Sequence, residues 1–166
     1  MQYDPLLHVV LYQPEIPPNT GNIGRSCVAI GAKLWLVKPL GFQINEKELR
    51  RAGLDYWPFL EWETVENWEN LTQRLAEQFV QRRIWLLTKR GETSYTAAEY
   101  QRGDILLFGC ETSGLPEELM DAYADRTLRI PTRPQVRSLN LSSAAALVMY
   151  EAVRQLGAAK GFGEEG

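Results

Sequence analysis

Arg25 follows Asn19 by six residues in the stretch Ile16-Pro17-Pro18-Asn19-Thr20-Gly21-Asn22-Ile23-Gly24-Arg25. A guanidinium and an amide in one loop can address a phosphate or carboxylate. The two prolines hold the chain extended, and Asn19 or Thr20 can cap a helix through a side-chain oxygen. Fewer than two helical turns separate Asn19 from Arg25, so both are expected to face one opening. Gly21 and Gly24 fall in the first turns of that helix, where each costs roughly 0.5 to 1 kcal/mol relative to alanine. Such a cost makes sense if another backbone or a ligand approaches closely; the alternative is a rigid connection with an ordinary cap.

Two further stretches share this character. Phe108-Gly109-Cys110-Glu111-Thr112-Ser113-Gly114-Leu115-Pro116 leaves an apolar run through a polar turn that carries the acceptor Glu111, then enters a helix near Pro116. Its two glycines permit close backbone approach, although the turn could equally carry a solvated glutamate. It is neither G-x-G-x-x-G nor G-x-x-x-x-G-K-[ST], so dinucleotide and P-loop phosphate binding are not supported. The third stretch, Ile130-Pro131-Thr132-Arg133-Pro134-Gln135-Val136-Arg137, runs into Ser138, Asn140 and Ser142 at a helix start, where one of them suffices as a cap.

Other chemistries are excluded by what the chain lacks. His8 is the only histidine and sits beside Val9-Val10-Leu11, so it reads as a strand residue rather than a member of a triad or multi-histidine metal site. Cys27 and Cys110 are far apart without C-x-x-C spacing, which fits a reduced cytoplasmic protein without a disulfide or zinc framework. A net charge of −3 argues against nonspecific coating of nucleic acid, which requires a basic surface. The 13 arginines against 5 lysines suit bidentate phosphate or carboxylate contact, or reflect genome composition. No signal peptide and no membrane span are expected.

These loops need elements to position them. The 166 residues, 45% of them apolar, suit one domain, with loose ends over 1–7 and 158–166. Short buried strands are expected at His8 to Gln13, Lys33 to Val37, Arg83 to Thr88, Asp104 to Phe108 and Thr127 to Ile130. Helices are expected at Thr20 to Ile30, Glu46 to Ala52, Thr64 to Gln81, Pro116 to Ala122 and Leu139 to Leu156. Continuous apolar strands alternating with helices predict an α/β fold with a parallel sheet covered on both faces. In such a sheet ligands bind outside the carboxyl ends of the strands, where all three loops emerge. The small face of Ala144, Ala145 and Ala146 lets the sheet or a second subunit pack close.

In order and spacing the three stretches resemble the motifs of SPOUT-class RNA 2'-O-ribose methyltransferases, in particular the single-domain type that acts on the tRNA wobble nucleotide, a cytidine or uridine. The pattern "LYxPEIPPNTGNIxR" ends at Arg25, "LRRAGLDY" spans Leu49 to Tyr56, and "SxNLSxAxxxVxYEAxRQLG" runs from Ser138 to Gly157. The resemblance implies a single SPOUT domain over 1–166 with a deep C-terminal trefoil knot, a homodimer, and bound S-adenosylmethionine, leaving as S-adenosylhomocysteine, without a metal. It implies a cofactor pocket of Leu87, Thr88, Gly109, Ile130, Ser138, Leu139 and Leu141. It also implies that Arg25 addresses the target ribose, supported by Asn19, Glu111 and Asn140. The segment from Trp57 to Arg83 matches the family loosely, and Thr88-Lys89-Arg90-Gly91 carries an extra basic residue.

Methyl transfer to a hydroxyl needs in-line approach and stabilisation of the charge that grows on oxygen, not a triad or a metal. A guanidinium stays protonated. Arg25 is therefore expected to orient the substrate and stabilise the developing alkoxide, with phosphate or water taking the proton. Arg50, Arg51, Arg133 and Arg137 are candidates for an RNA surface shared by two subunits. Methylation of another tRNA position or of ribosomal RNA is the alternative within the same chemistry. A noncatalytic RNA- or nucleotide-binding module is a further one, disfavoured because Arg25, Glu111 and Asn140 are all present.

Overall fold

Seven strands form one sheet in the computed structural model, which describes residues 4–43 and 55–163. In chain order they are β1 (His8–Tyr12), β2 (Lys33–Val37), β3 (Trp62–Val65), β4 (Ile84–Leu87), β5 (Thr93–Ser94), β6 (Ile105–Phe108) and β7 (Thr127–Arg129). The spatial order is β3-β2-β1-β6-β4-β7-β5, and every pairing is parallel. The helices are α1 (Pro17–Ile30), α2 (Trp68–Arg74), α3 (Ala76–Val80), α4 (Glu117–Ala122) and α5 (Leu141–Leu156).

The continuous apolar strands are explained by burial on both faces. Val9, Leu11, Leu106 and Phe108 point into one core layer with Ile23 and Cys27 of α1 and Val148, Met149 and Ala152 of α5. Val10, Ile84, Leu86, Ile105 and Leu107 point into the other, with Leu71 of α2, Leu75 and Leu115. Ala145 and Ala152 are fully buried where α5 runs beside α1, so the small face of α5 serves at least its own chain. At the amino ends of the strands, the buried Asp104 accepts from Arg83 Nε (2.7 Å) and Nη2 (2.5 Å), from Trp85 Nε1 (2.9 Å) and from the Gln101 amide (2.9 Å). That end of the sheet is fastened, which leaves the carboxyl end to carry the loops.

Several elements differ from the sequence reading. The helix expected over Thr64 to Gln81 begins only at Trp68, capped by Asn67, and breaks at Leu75 into α2 and α3. Trp62–Val65 is instead an edge strand in register with Leu34 to Val37, and Glu63 pairs with Lys33 (3.2 Å) and Arg74 (2.6 Å). Edge pairing with β2 outweighs the helical pattern at Thr64 and Val65. Strand β5, two residues long, is too short to show alternation in sequence. The first helix starts at Pro17, with Ile16 as a cap residue that contributes no side-chain bond, so neither Asn19 nor Thr20 caps it. Helices α4 and α5 begin at Glu117 and Leu141, β1 ends at Tyr12, β4 spans Ile84–Leu87, and β6 and β7 are shortened to Ile105–Phe108 and Thr127–Arg129. Leu6 and Leu7, expected within a loose end, are buried in the core, and a short 3-10 turn forms over Ala158–Gly161. The helix expected over Glu46 to Ala52 lies outside the described residues, as do Arg50 and Arg51.

Candidate active site

A cavity of about 970 Å3 opens at the carboxyl ends of β4, β6 and β7. Its walls are Leu87 at the end of β4 and the loop after it (Thr88 to Arg90), the loop after β6 (Gly109 to Gly114) and the loop after β7 (Ile130 to Thr132 and Arg137 to Asn140), closed by Ile16 and by Asn19 of α1. Asn19, Leu87, Thr88, Gly109, Glu111, Ile130, Ser138, Leu139, Asn140 and Leu141 all line it.

Arg25 does not line this cavity. It is exposed on α1, with its guanidinium 5.4 Å from the centre of the Tyr56 ring. At about 100° per residue, six residues turn a helix about 600°, which leaves Arg25 about 120° away from Asn19. The spacing therefore separates the two side chains within one chain. Tyr56 donates its hydroxyl hydrogen to the Gly21 carbonyl, and burial raises its phenol pKa while nearby Arg25 opposes the rise. A Cβ on Gly24 would stand 3.0 Å from Leu60 Cδ2 and 3.6 Å from Tyr56. The close approach that this glycine permits is thus made by the chain itself, and Tyr56 emerges as the support of Arg25.

Asn19, Glu111 and Asn140 form one hydrogen-bonded relay. Glu111 Oε1 accepts from Asn19 Nδ2 (3.4 Å), and Asn19 Oδ1 accepts from Asn140 Nδ2 (3.0 Å). Asn140 Oδ1 accepts from the Ser142 amide (2.9 Å), the Ser142 hydroxyl (2.6 Å) and the Ser143 amide (3.4 Å), which caps α5. A carboxylate only accepts and amide N–H groups only donate, so both ends fix the direction of every bond between them. Glu111 also accepts from the amides of Glu15 (2.9 Å) and Ile16 (3.1 Å). It thereby supplies the anionic cap that α1 lacks locally, at the positive end of the helix dipole. Two helix starts from opposite ends of the chain are joined by the Asn140–Asn19 bond, and Glu111 anchors the α1 side of that bond.

The loop carrying Glu111 is compressed. A Cβ on Gly109 would lie 2.3 Å from the Gly114 carbonyl carbon and 2.5 Å from the Leu115 nitrogen, and Gly114 has φ +67°. Both glycines therefore serve the tight turn itself. Inside the cavity Thr88 donates its hydroxyl to Met120 Sδ at 3.4 Å. On the rim, Arg90 pairs with Glu117 (3.2 Å), and Arg129 donates to the carbonyls of Gly91 and Glu92 (3.0 Å each). Arg137 lines the cavity, and Arg133 is exposed on the same loop. Glu15, Thr112 and Met120 were not singled out in the sequence; Glu15 and Thr112 sit inside two of the motif stretches, and their position there was the available signal.

These features define an α/β protein with a ligand site at the carboxyl edge of a parallel sheet, assembled from loops that follow three of its strands. The chain belongs to the SpoU rRNA Methylase family, which matches residues 6–150. A tRNA (cytidine(34)-2'-O)-methyltransferase of Methylovorus glucosotrophus (strain SIP3-4) is 48% identical over 151 residues, covering 90% of this chain and 96% of that protein. The enzyme of the same name from Escherichia coli (strain K12) is 46% identical over 153 residues, covering 92% and 95%. Among solved structures, one concerned with the 2-OH methylation of C/U34 on tRNA aligns with TM-score 0.82 at 44% identity, over 91% of this chain and 96% of that one. The SpoU methyltransferase AviRb from Streptomyces viridochromogenes, in complex with AdoMet, aligns with TM-score 0.78 at 27% identity, over 94% of this chain and 59% of that one.

Proposed function

We propose that this protein is an S-adenosylmethionine-dependent 2'-O-methyltransferase acting on the wobble ribose of tRNA, a cytidine or uridine at the first anticodon position. The observation that carries this reading is the convergence of the three motif loops on one cavity, in a chain that matches C34 methyltransferases over nearly its whole length. The cavity's chemistry fits the cofactor. Leu87, Ile130, Leu139 and Leu141 offer apolar walls for a purine, while Thr88, Ser138 and the backbone around Gly109 offer polar groups. When bound, S-adenosylmethionine supplies the methyl group from its sulfonium.

The chain's own residues do the remainder. Glu111, Asn19 and Asn140 hold the loops in register, and Arg25 on its Tyr56 support, outside this chain's own cavity, engages the target ribose and its phosphate in the site that the homodimer completes and offsets negative charge on the 2' oxygen. Phosphate or water takes the proton, because the guanidinium stays protonated. The finer architecture in this reading is a trefoil knot formed where the loops after β4, β6 and β7 cross. The active unit is a cytoplasmic homodimer. The exposed apolar side chains Leu147 and Tyr150 on α5 support the dimer, and Arg133 and Arg137 are its candidate tRNA contacts.

Incubation of the purified protein with labelled S-adenosylmethionine and bulk tRNA, followed by mapping of the modified ribose, tests the proposal. Label at the first anticodon nucleotide is expected. Cofactor binding without label in RNA would instead favour a binding module, and label at another tRNA position or in ribosomal RNA would reassign the substrate. The role of Arg25 is tested by Arg25→Lys, expected to lose most turnover because a point ammonium does not reproduce the bidentate fork.

A further inference from the structure

We propose that Glu15 is a positioning residue for methyl transfer, acting through a reciprocal clasp with the loop that carries Glu111. This rests on the function proposed above. Glu15 Oε1 accepts from both the hydroxyl (2.6 Å) and the amide (3.2 Å) of Thr112. In the opposite direction Glu111 accepts from the backbone amides of Glu15 and Ile16. Each loop thus sends a carboxylate onto the other's backbone, across more than ninety residues of sequence.

The clasp is tied into its surroundings. On the far side of Glu15, the Gly41 amide donates to the Pro14 carbonyl at 2.9 Å, which binds the loop after β2 to the same segment. The bonds from Thr112, and then from Cys110, hold the Glu15 carboxyl below its ordinary range, so at neutral pH it is the ionised acceptor that the clasp needs. Glu15 does not line the cavity, whereas Cys110, Glu111, Thr112 and Gly114 do. It therefore acts on the reaction through the position of that wall rather than by contact with the reacting atoms.

The position matters because the wall carries the Glu111 end of the Glu111–Asn19–Asn140 relay. Without Glu15, the hydrogen bonds that hold the loop from Cys110 to Gly114 to the start of α1, among the described residues, are those of Glu111 itself. A shift of this wall moves the cofactor side of the site relative to the ribose side, and in-line transfer tolerates little such displacement.

The test uses the full chain. Glu15→Ala is expected to lower kcat by about tenfold to 100-fold, the scale of a small misplacement, with KM for tRNA within about twofold. Glu15→Gln keeps an oxygen for both Thr112 donors and is expected to recover kcat to within about fivefold of the parent, since the net worth lost with the charge is of hydrogen-bond size. Thr112→Val removes the hydroxyl bond and keeps the amide one, so its loss should be smaller than that of Glu15→Ala, and the double variant should be no worse than Glu15→Ala alone, as residues acting through one contact are non-additive. Parental kcat in Glu15→Ala, or Glu15→Gln as impaired as Glu15→Ala, would overturn the proposal.

Amide hydrogen exchange reads the clasp without any substrate. Exchange at Thr112 should quicken by about tenfold in Glu15→Ala, as expected for the loss of one bond, and unchanged exchange would also count against the clasp. A parent protein that fails to methylate tRNA, yet shows the change in exchange, would sink the functional reading and leave the clasp intact.

Discussion

The direction of the Asn19 relay makes Asn140→Asp a sharp perturbation. The variant keeps an oxygen to accept from the Ser142 and Ser143 amides, so the α5 cap survives and gains a charge worth about 0.3 to 1 kcal/mol at a helix start. What it loses is the donor to Asn19 Oδ1, now replaced by an oxygen facing an oxygen at the 3.0 Å that Asn140 Nδ2 occupied. Turning the Asn19 amide over only moves the conflict, because its oxygen would then face the Glu111 carboxylate, to which Nδ2 donates at 3.4 Å. One polar contact must remain unmade, at about 1 to 3 kcal/mol. Set against the improved cap, the net loss is about 1 to 2 kcal/mol. For a chain of this size, at about 2 to 4 °C per kcal/mol, the melting temperature should fall by about 2 to 8 °C. Transfer of labelled methyl to tRNA should fall by about tenfold or more, since the shifted groups line the cavity. Asn140→Ala, lacking both the donor and the cap, should lose about 1 kcal/mol more than the broken relay alone. An Asn140→Asp protein with parental melting temperature and parental transfer would refute the relay.

Further outcomes follow from the buried groups. His8 is the only histidine, so its ring resonances in proton NMR report one site. Burial, reinforced by Lys33, lowers its pKa from 6.5 to about 4, and its Nδ1 already accepts from Trp35 Nε1 at 3.1 Å. The unfolded chain therefore binds the proton first, and this site's contribution to stability is lost as pH falls from 6.5 towards 4, about 3 kcal/mol in all at 1.36 kcal/mol per pH unit. A ring that titrates near 6.5 in the folded protein would refute this. Gly109→Ala places a Cβ against the Gly114 and Leu115 backbone and should cost about 1 to 3 kcal/mol, with weakened S-adenosylmethionine binding in calorimetry. Asp104→Ala removes the carboxylate that Arg83 and the Trp85 indole share, leaving Arg83 with the Glu99 carbonyl at 3.1 Å, and should cost about 3 to 5 kcal/mol, read as a lower urea midpoint at unchanged slope.

Much of the site was legible because its loops carry polar residues in fixed local order. Asn19, Glu111, Ser138 and Asn140 stand in stretches whose prolines and glycines already mark them as shaped backbone, and a parallel α/β sheet has one edge at which such loops can converge. Arg25 and Asn19 are near along one helix without sharing a face, because six residues rotate the side chain about 120° away. Thr64 and Val65, expected in a helix, lie in a strand instead, because the free edge of β2 takes up a short segment whose partner is not written in its own pattern.

By itself the amino-acid sequence determined the buried strands, the parallel sheet and the three motif loops, since continuous apolar runs and turn chemistry are local properties. Only the tertiary structure decided what the polar groups do to one another. Glu111 caps a helix that begins 94 residues earlier, at Pro17, Glu15 fastens the loop that carries it, and Asn19 joins them to Asn140 at the other end of the chain. A hydrogen bond depends on distance and direction in space, and neither is written in the spacing of residues so far apart in sequence.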